Sequence, residues 1–363
     1  MANQVIATDG LLFRVAPGKD GPLIRGIPKG EVFTLRSGSA IVDGYSWYRL
    51  TDAHNVGGWA AVNWLTPVMV PPVAPPTTKR TVSVFSMHVL TGANTSLVLD
   101  VVDSCARAGK ALLGIILTAS NLTPQDIWHL SPTTEVIWRP YDGNDAQVDW
   151  AQPDLHQVGR DTVDWWFNKY FPNQSFLVHD KLYYQILNEQ AAVNNTFWQG
   201  ALDRANELHV KLCLPNFTLG YPKLPSDPPP DNGYWTDPTT WAVLRRVRDE
   251  GHRFMMHMGV APGSTGGAAW SDKYTFLRHQ LIYPYLPADL QTLPWCAGED
   301  GEEQTTAHYT ADQWIALLRQ ADAAMVNDTV LYRCLWTVGP GFGWEKDDLS
   351  AFVPALKQYL LMY

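Results

Sequence analysis

The sequence predicts an α/β chain, a closed barrel of eight strand–helix units, (β/α)8, over residues 81–363, preceded by a small all-β barrel over residues 1–68. Three observations predict it. From residue 81 onward, apolar runs of strand length alternate with amphipathic helical stretches, which implies parallel pairing. Eight such runs fit into about 280 residues, close to the roughly 250 that a closed barrel of this kind needs. The first 68 residues hold only short strand-like runs between turns, and residues 69–80, with Pro71, Pro72, Pro75 and Pro76, read as a semi-rigid linker.

Turn signals divide the front segment at Gly18-Lys19-Asp20-Gly21, Pro28-Lys29-Gly30 and His54-Asn55-Val56-Gly57-Gly58. Behind the linker the expected strands are Val82–Met87, Leu112–Leu117, Glu135–Arg139, Leu182–Glu189, Lys211–Asn216, Arg253–His257, Leu293–Glu299 and Val330–Thr337. The expected helices are Leu97–Ala108, Gly159–Phe171, Thr196–His209, Thr239–Glu250, Asp272–Tyr285, Thr310–Met325 and Lys346–Leu361. The second connection, around Pro124–His129, is short and poorly periodic. A doubly wound open sheet is the competing architecture. It usually carries a glycine-rich phosphate turn after its first strand, and Ser86-Met87-His88-Val89-Leu90-Thr91-Gly92 offers none.

Composition narrows the function. A net charge of −9 without a basic block argues against nucleic acid as the main partner. No apolar run reaches 18 residues, so no membrane span is expected. No signal peptide is visible, and localisation stays unknown, with a secreted or extracellular setting expected. The four cysteines lack C-x-x-C spacing and read as buried free thiols. No H-E-x-x-H, P-loop or G-x-S-x-G occurs, so neither a metal site nor a cofactor is expected, nor a serine-centred hydrolase. Sixteen Trp and fifteen Tyr exceed what a core alone asks for and suit a cleft in which flat rings stack on sugars.

The chemistry is expected at the strand ends. In a parallel barrel these converge on one mouth, and a polar residue there reads as catalytic. Tyr184-Gln185-Ile186-Leu187-Asn188-Glu189 and Trp295-Cys296-Ala297-Gly298-Glu299 are apolar runs that end in carboxylates. Two carboxylates at one mouth can flank a glycosidic bond. The plainer alternative for either is a helix cap or an ion pair with arginine. Arg139 ends the third run, His257 the sixth, and Trp336 lies near the end of the eighth. Asn216, Phe217 and His88 are weaker candidates. Long loops at the same face, with Tyr221, Tyr234, Trp235 and Trp270, would build substrate subsites. Glu302 is the reserve nucleophile if the seventh run is misregistered.

Two resemblances sharpen this. Phe13-Arg14-Val15-Ala16-Pro17-Gly18, Ile27-Pro28-Lys29-Gly30-Glu31-Val32, Trp47-Tyr48-Arg49-Leu50 and Gly58-Trp59-Ala60 resemble the bacterial SH3 family over most of residues 4–67. Its members often bind cell-wall or other extracellular polymers, and others are structural accessories. The Asn188-Glu189 pair on the fourth strand, with Glu299 on the seventh, resembles the retaining glycosidase clan GH-A. That resemblance implies Glu189 as acid/base, Glu299 as nucleophile and Asn188 as donor to the sugar 2-hydroxyl, the two carboxyls about 5–5.5 Å apart. It implies site roles for Arg139, beside the nucleophile, and for His257; Trp336 suits an aromatic floor under the sugar, and Asn216 and Trp270 are substrate-binding candidates by their positions after strand five and in a mouth loop. Two departures stand out. The clan's arginine usually comes from strand two, whereas Arg139 is on the third. The usual strand-six tyrosine is replaced by Gly259. The expected activity is therefore retaining hydrolysis of a β-linked poly- or oligosaccharide. A peptidoglycan-degrading muramidase is one alternative, although Val82–Met87 lacks the Asp-x-Ser opening of such barrels. A non-catalytic glycan-binding protein on a degenerate barrel is another.

Overall fold

The computed structural model describes residues 4–52, 54, 56–67, 81–141, 148–188, 194–218, 221–227, 232–259, 277–291, 293, 295–302, 304–325 and 329–363. The chain divides into two compact units. One comprises Met1–Val73 with Trp235–Trp241 and Tyr283–Gln291, the other Ala74–Tyr234, Ala242–Ile282 and Thr292–Tyr363. The expected linker, residues 69–80, lies outside the described residues.

The first unit is antiparallel. Its strands are β1 (Gln4–Ala7), β2 (Leu11–Arg14), β3 (Leu23–Ile27), β4 (Val32–Val42), β5 (Tyr45–Thr51), β6 (Gly57–Ala61) and β7 (Leu65–Pro67). They form one curled sheet in the order β3-β2-β6-β5-β4-β1-β7. Alternation on β2 buries Leu11 and Phe13 and exposes Leu12, as a sheet with one buried face requires. The buried face gathers Val5, Leu11, Phe13, Ile27, Phe33 and Leu50. At the rim, Arg25 donates to Glu31 at 2.8 Å and to Asp52 at 2.9 Å.

The second unit is the expected barrel. In chain order it runs β8 (Phe85–Leu90), α1 (Thr95–Arg107), β9 (Gly114–Thr118), α2 (Pro124–Leu130), β10 (Glu135–Arg139), α3 (Leu155–Tyr170), β11 (Leu182–Tyr184), α4 (Asn195–Glu207), β12 (Cys213–Phe217), α5 (Pro238–Asp249), β13 (Arg253–Gly259), α6 (Arg278–Ile282), β14 (Trp295–Gly301), α7 (Thr305–His308), α8 (Ala311–Ala324), β15 (Val330–Val338) and α9 (Val353–Met362). All strand pairs are parallel, in the order β11-β10-β9-β8-β15-β14-β13-β12. The two ends of that order meet through a single parallel bridge, Tyr184 to Leu212, where the Tyr184 N–H donates to Lys211 O at 2.9 Å. The ring is thus nearly closed. Inside it, Ile116, Ile137, Tyr183, Cys213, Met255, Cys296, Tyr332 and Cys334 form one buried cluster drawn from seven strands, a filled interior rather than a pore. All four cysteines are free and buried.

The structure moves some expected boundaries. The first strand begins at Phe85 because Ser83 and the Val84 N–H are tied to the buried Asp322 carboxylate instead of to a neighbouring strand. His88 therefore lies within β8. The fourth strand's ladder ends at Tyr184, although the Gln185 N–H still reaches Trp138 O at 3.2 Å. The weakly periodic second connection is a helix, opened by a Thr123–Asp126 capping box with Pro124 in its first turn. The last helix starts at Val353 rather than Lys346, since the Leu349 N–H bonds back to Thr337 O at 2.8 Å and holds the chain in a turn. Among the described residues no helix is long and apolar enough to cross a membrane.

Candidate active site

Strand geometry decides what reaches the barrel mouth. Side chains alternate along a strand, so inward Ile137 implies inward Arg139, and inward Met255 implies inward His257. Likewise inward Cys334 implies inward Trp336, with Arg333 facing out. On β14, inward Cys296 implies inward Gly298, and strict alternation would send Glu299 outward. The structure breaks the alternation there. His257 pairs with Gly298 and Gly259 with Gly301, two residues against three, and Ala297 and Asp300 face Arg333 and Leu335 with the same excess. Strand β14 thus carries one extra residue against both neighbours. Glu299 sits at that bulge with φ +46°, a left-handed conformation rare for a residue with a Cβ. A bulge re-aims a side chain, and here it turns Glu299 inward and Asp300 outward.

Three side chains converge on the Glu299 carboxylate. His257 Nδ1 lies 3.1 Å from Oε2, the Asn188 amide donates to Oε1 at 3.2 Å, and Arg139 Nη1 stands 3.9 Å from Oε1. The arginine is a charged neighbour at that distance rather than a hydrogen-bond partner, and its guanidinium lies over the Tyr141 ring at 4.2 Å. Burial opposes the charged form of Glu299. The charge and hydrogen bond of His257 outweigh it, with Arg139 adding, and the carboxyl is held down to about 2. His88 is pushed down to about 3, chiefly by burial, and is neutral. Its Nε2 meets Thr118 Oγ1 at 2.8 Å, and its ring meets Trp336 at 4.8 Å. Trp336 in turn contacts the exposed Trp344 at 5.2 Å.

Of the residues expected from sequence, Asn188, Arg139, His257 and Glu299 come together. Asn216 joins them through Asn188, to whose Oδ1 it donates at 2.7 Å. Trp336 lies beside His88 on the same interior face. Glu302 belongs to another cluster, buried and bonded by Tyr309 Oη at 2.6 Å and His308 Nδ1 at 2.9 Å. Glu189 and Trp270 lie outside the described residues. Arg139 ends the third barrel strand, so the displaced arginine is real, yet it reaches the same carboxylate. Gly259 has a steric reason: a Cβ there would meet Gly301 O at 2.7 Å, so no tyrosine fits at this bulge. Sequence reading missed Gln185 and Trp344. The first was marked only by an amide inside an apolar run, the second by its nearness to Trp336 in the chain. Among the described residues no cluster of His, Cys, Asp or Glu is arranged to hold a metal ion.

No family model matches the chain, and no curated protein does. Among solved structures it is similar to XacCel5A in complex with cellopentaose, at 13% identity and TM-score 0.39, over 76% of this chain and 99% of that one. A β-mannanase from Thermomonospora fusca is similar at 15% identity and TM-score 0.38, over 83% and 86%. The β-glucuronidase of Ruminococcus gnavus is similar at 10% identity and TM-score 0.42, over 92% of this chain and 57% of that one. At such identities and TM-scores the likeness carries no functional argument, and the functional reading rests on the side chains of this chain.

Proposed function

We propose that the barrel is a retaining β-glycoside hydrolase with Glu299 as nucleophile. The observation that carries the reading is the Glu299 carboxylate itself. It is turned inward by a bulge at a strand's C-terminal end, kept ionised, and partly exposed at 14% of its side-chain surface. In the first step a Glu299 oxygen bonds to the anomeric carbon as the glycosidic C–O bond breaks, and the leaving oxygen takes a proton from Glu189. In the second, water attacks the same carbon, gives its proton to Glu189, and releases Glu299 as carboxylate. The role of Glu189 is the one that the resemblance of the Asn188-Glu189 pair to clan GH-A implies. Neutral His88 and the Trp336 ring would form the floor on which a sugar rests.

The small unit is assigned, in the same reading, as a bacterial SH3-like module over residues 1–68 that contacts polymeric substrate. A groove of about 240 Å³ there is lined by Leu12, Lys19, Tyr45, Trp47 and Trp64 among others. The Tyr45 and Trp64 rings stack at 6.0 Å and 23°.

The test is turnover of soluble β-glycans and aryl β-glycosides by Glu299→Gln. Turnover should fall by roughly 10³-fold or more while sugar binding persists, and the first product of the native protein should keep the β configuration. Undiminished turnover in Glu299→Gln removes the reading. Sugar binding by a wild type that turns nothing over favours the non-catalytic glycan-binding alternative.

A further inference from the structure

The Asn188 amide sits in a chain of hydrogen bonds whose direction is fixed from both ends. At one end is the Leu187 carbonyl, which only accepts, and Asn216 Nδ2 approaches it at 3.5 Å. The same nitrogen donates to Asn188 Oδ1 at 2.7 Å. Gln185 Nε2 donates to that oxygen too, at 2.8 Å. At the other end Asn188 Nδ2 meets the Glu299 carboxylate, which when ionised also only accepts. Turning the three amides over together would set Asn216 Oδ1 against the Leu187 carbonyl and Asn188 Oδ1 against the carboxylate. Both contacts would be repulsive, so one orientation survives.

We infer that Gln185 and Asn216 are positioning residues that hold the Asn188 amide with its nitrogen toward Glu299. The inference rests on the reading of Glu299 as nucleophile for its catalytic consequence, though not for its geometry. Both residues are almost wholly buried, 2% and 1% exposed, and Gln185 Oε1 and Asn216 Oδ1 are buried without a partner among the described residues. An orphaned buried acceptor costs stability, and each amide accepts that cost while its nitrogen faces Asn188. A methionine or leucine in either place would pack without the cost and without the donor. Gln185 lies just past β11 and Asn216 on β12, so Asn188 is gripped from its own segment and from the next strand. Its rotamer and its O/N orientation are both determined before any sugar arrives, which is what preorganisation of a transition-state donor requires.

The test is the response of the Asn188 side-chain amide to Glu299. In selectively ¹⁵N-asparagine-labelled full chain, its resonance is assigned by its disappearance in Asn188→Ala. Glu299→Gln should move that resonance in an otherwise wild-type background and move it clearly less in Gln185→Met/Asn216→Leu, where the two donors to Asn188 Oδ1 are gone. Turnover of the double variant should fall about tenfold with KM changed less, as expected for loss of a hydrogen bond to a charged group. In an Asn188→Ala background the two substitutions should cost nothing further in kcat, an outcome a purely structural role would not give. If the double variant does not fold, each single substitution keeps one donor and should give a partial loss of the response. A response to Glu299→Gln that is undiminished in the double variant, or kcat losses that add in the Asn188→Ala background, overturns the inference. If the amide response behaves as expected but the wild type turns over no β-glycoside, the positioning stands and the glycosidase reading falls.

Discussion

His257 Nδ1 and Glu299 Oε2 are 3.1 Å apart, although simple strand alternation would put them on opposite faces of the barrel wall. The contact exists because β14 carries an extra residue and Glu299 adopts a left-handed conformation. At Gly259, two residues further on, a Cβ would meet Gly301 O at 2.7 Å, so on this strand His257 is the side chain that reaches Glu299.

The first prediction follows from that contact. Burial opposes the charged form, and His257 is the largest of the influences that hold Glu299 down to about 2. A depressed carboxyl stays ionised until the pH falls toward that value, so the acid limb of kcat/KM should lie well below 4.5, the ordinary value. In His257→Asn the limb should move up by about one unit or more, with kcat lowered at neutral pH. A pH–rate profile checks it, and an unmoved acid limb would show that His257 does not govern the ionisation.

The second prediction concerns Gly298. A Cβ there would come within 2.3 Å of Met255 Sδ, inside the filled barrel. Methionine can shift, but the shift pushes into close-packed neighbours at a cost of about 1–3 kcal/mol. Gly298→Ala should therefore lower the urea midpoint. Because the residue adjoins the bulge that aims Glu299, kcat should fall more than the stability loss alone accounts for. Gly298→Ala/Met255→Val, which removes the clashing Sδ while keeping part of the core volume, should lose less stability than the two single losses summed, and a like non-additivity in kcat would tie both effects to this contact.

The third prediction tests what faces the opposite way from Glu299. Asp300 and Arg333 are both fully buried and paired through two contacts, one of them Arg333 Nη2 to Asp300 Oδ1 at 2.6 Å. Arg333 also donates to Met258 O at 3.0 Å, so one guanidinium ties β13, β14 and β15 together behind His257, Glu299 and Trp336. Arg333→Met leaves Asp300 as an uncompensated buried charge and should cost about 3–5 kcal/mol. Replacing both partners with apolar residues of similar volume should cost much less. Equal losses in the single and double variants, measured by urea unfolding, would show that the ion pair is not what matters there.

The barrel is legible in the sequence because alternating strand and helix periods leave few topologies open. The strand ends holding Arg139, His257 and Glu299 are legible because a charged side chain closing an apolar run must either line the barrel mouth or find a buried partner. What is not legible depends on backbone events that leave little mark in one sequence. Nothing in Ala297-Gly298-Glu299-Asp300-Gly301 says which of the two acids turns inward. That is set by a bulge against two neighbouring strands, one at His257–Gly259 and one at Arg333–Leu335. Val82 reads as strand from its composition, yet the ladder waits until Phe85 because Asp322, far along the chain, takes the first hydrogen bonds. Gln185 carries no such signal, since its meaning lies in Asn188 and Asn216, and hydrogen-bond direction cannot be read from residue order.

The last prediction is one of stability against pH. His252 lies just ahead of β13 and accepts the Leu212 N–H on Nδ1 at 2.9 Å, pinning the entry of β12. Its side chain is fully buried, and burial pushes its pKa down from 6.5 to about 4. A histidine kept neutral by the fold contributes stability that is fully present above its unfolded value. That stability is lost as the pH falls from 6.5 through about 4, because in that range the unfolded chain binds the proton and the folded one does not. A shift of this size corresponds to about 3 kcal/mol. His88, pushed down to about 3, acts in the same direction and continues to lower pH. The urea midpoint should therefore decline as the pH is lowered from 6.5 to 4. In His252→Asn, which keeps an acceptor for Leu212 and has no charge to gain, the decline should be shallower. A wild type and variant with parallel declines would place the titration elsewhere.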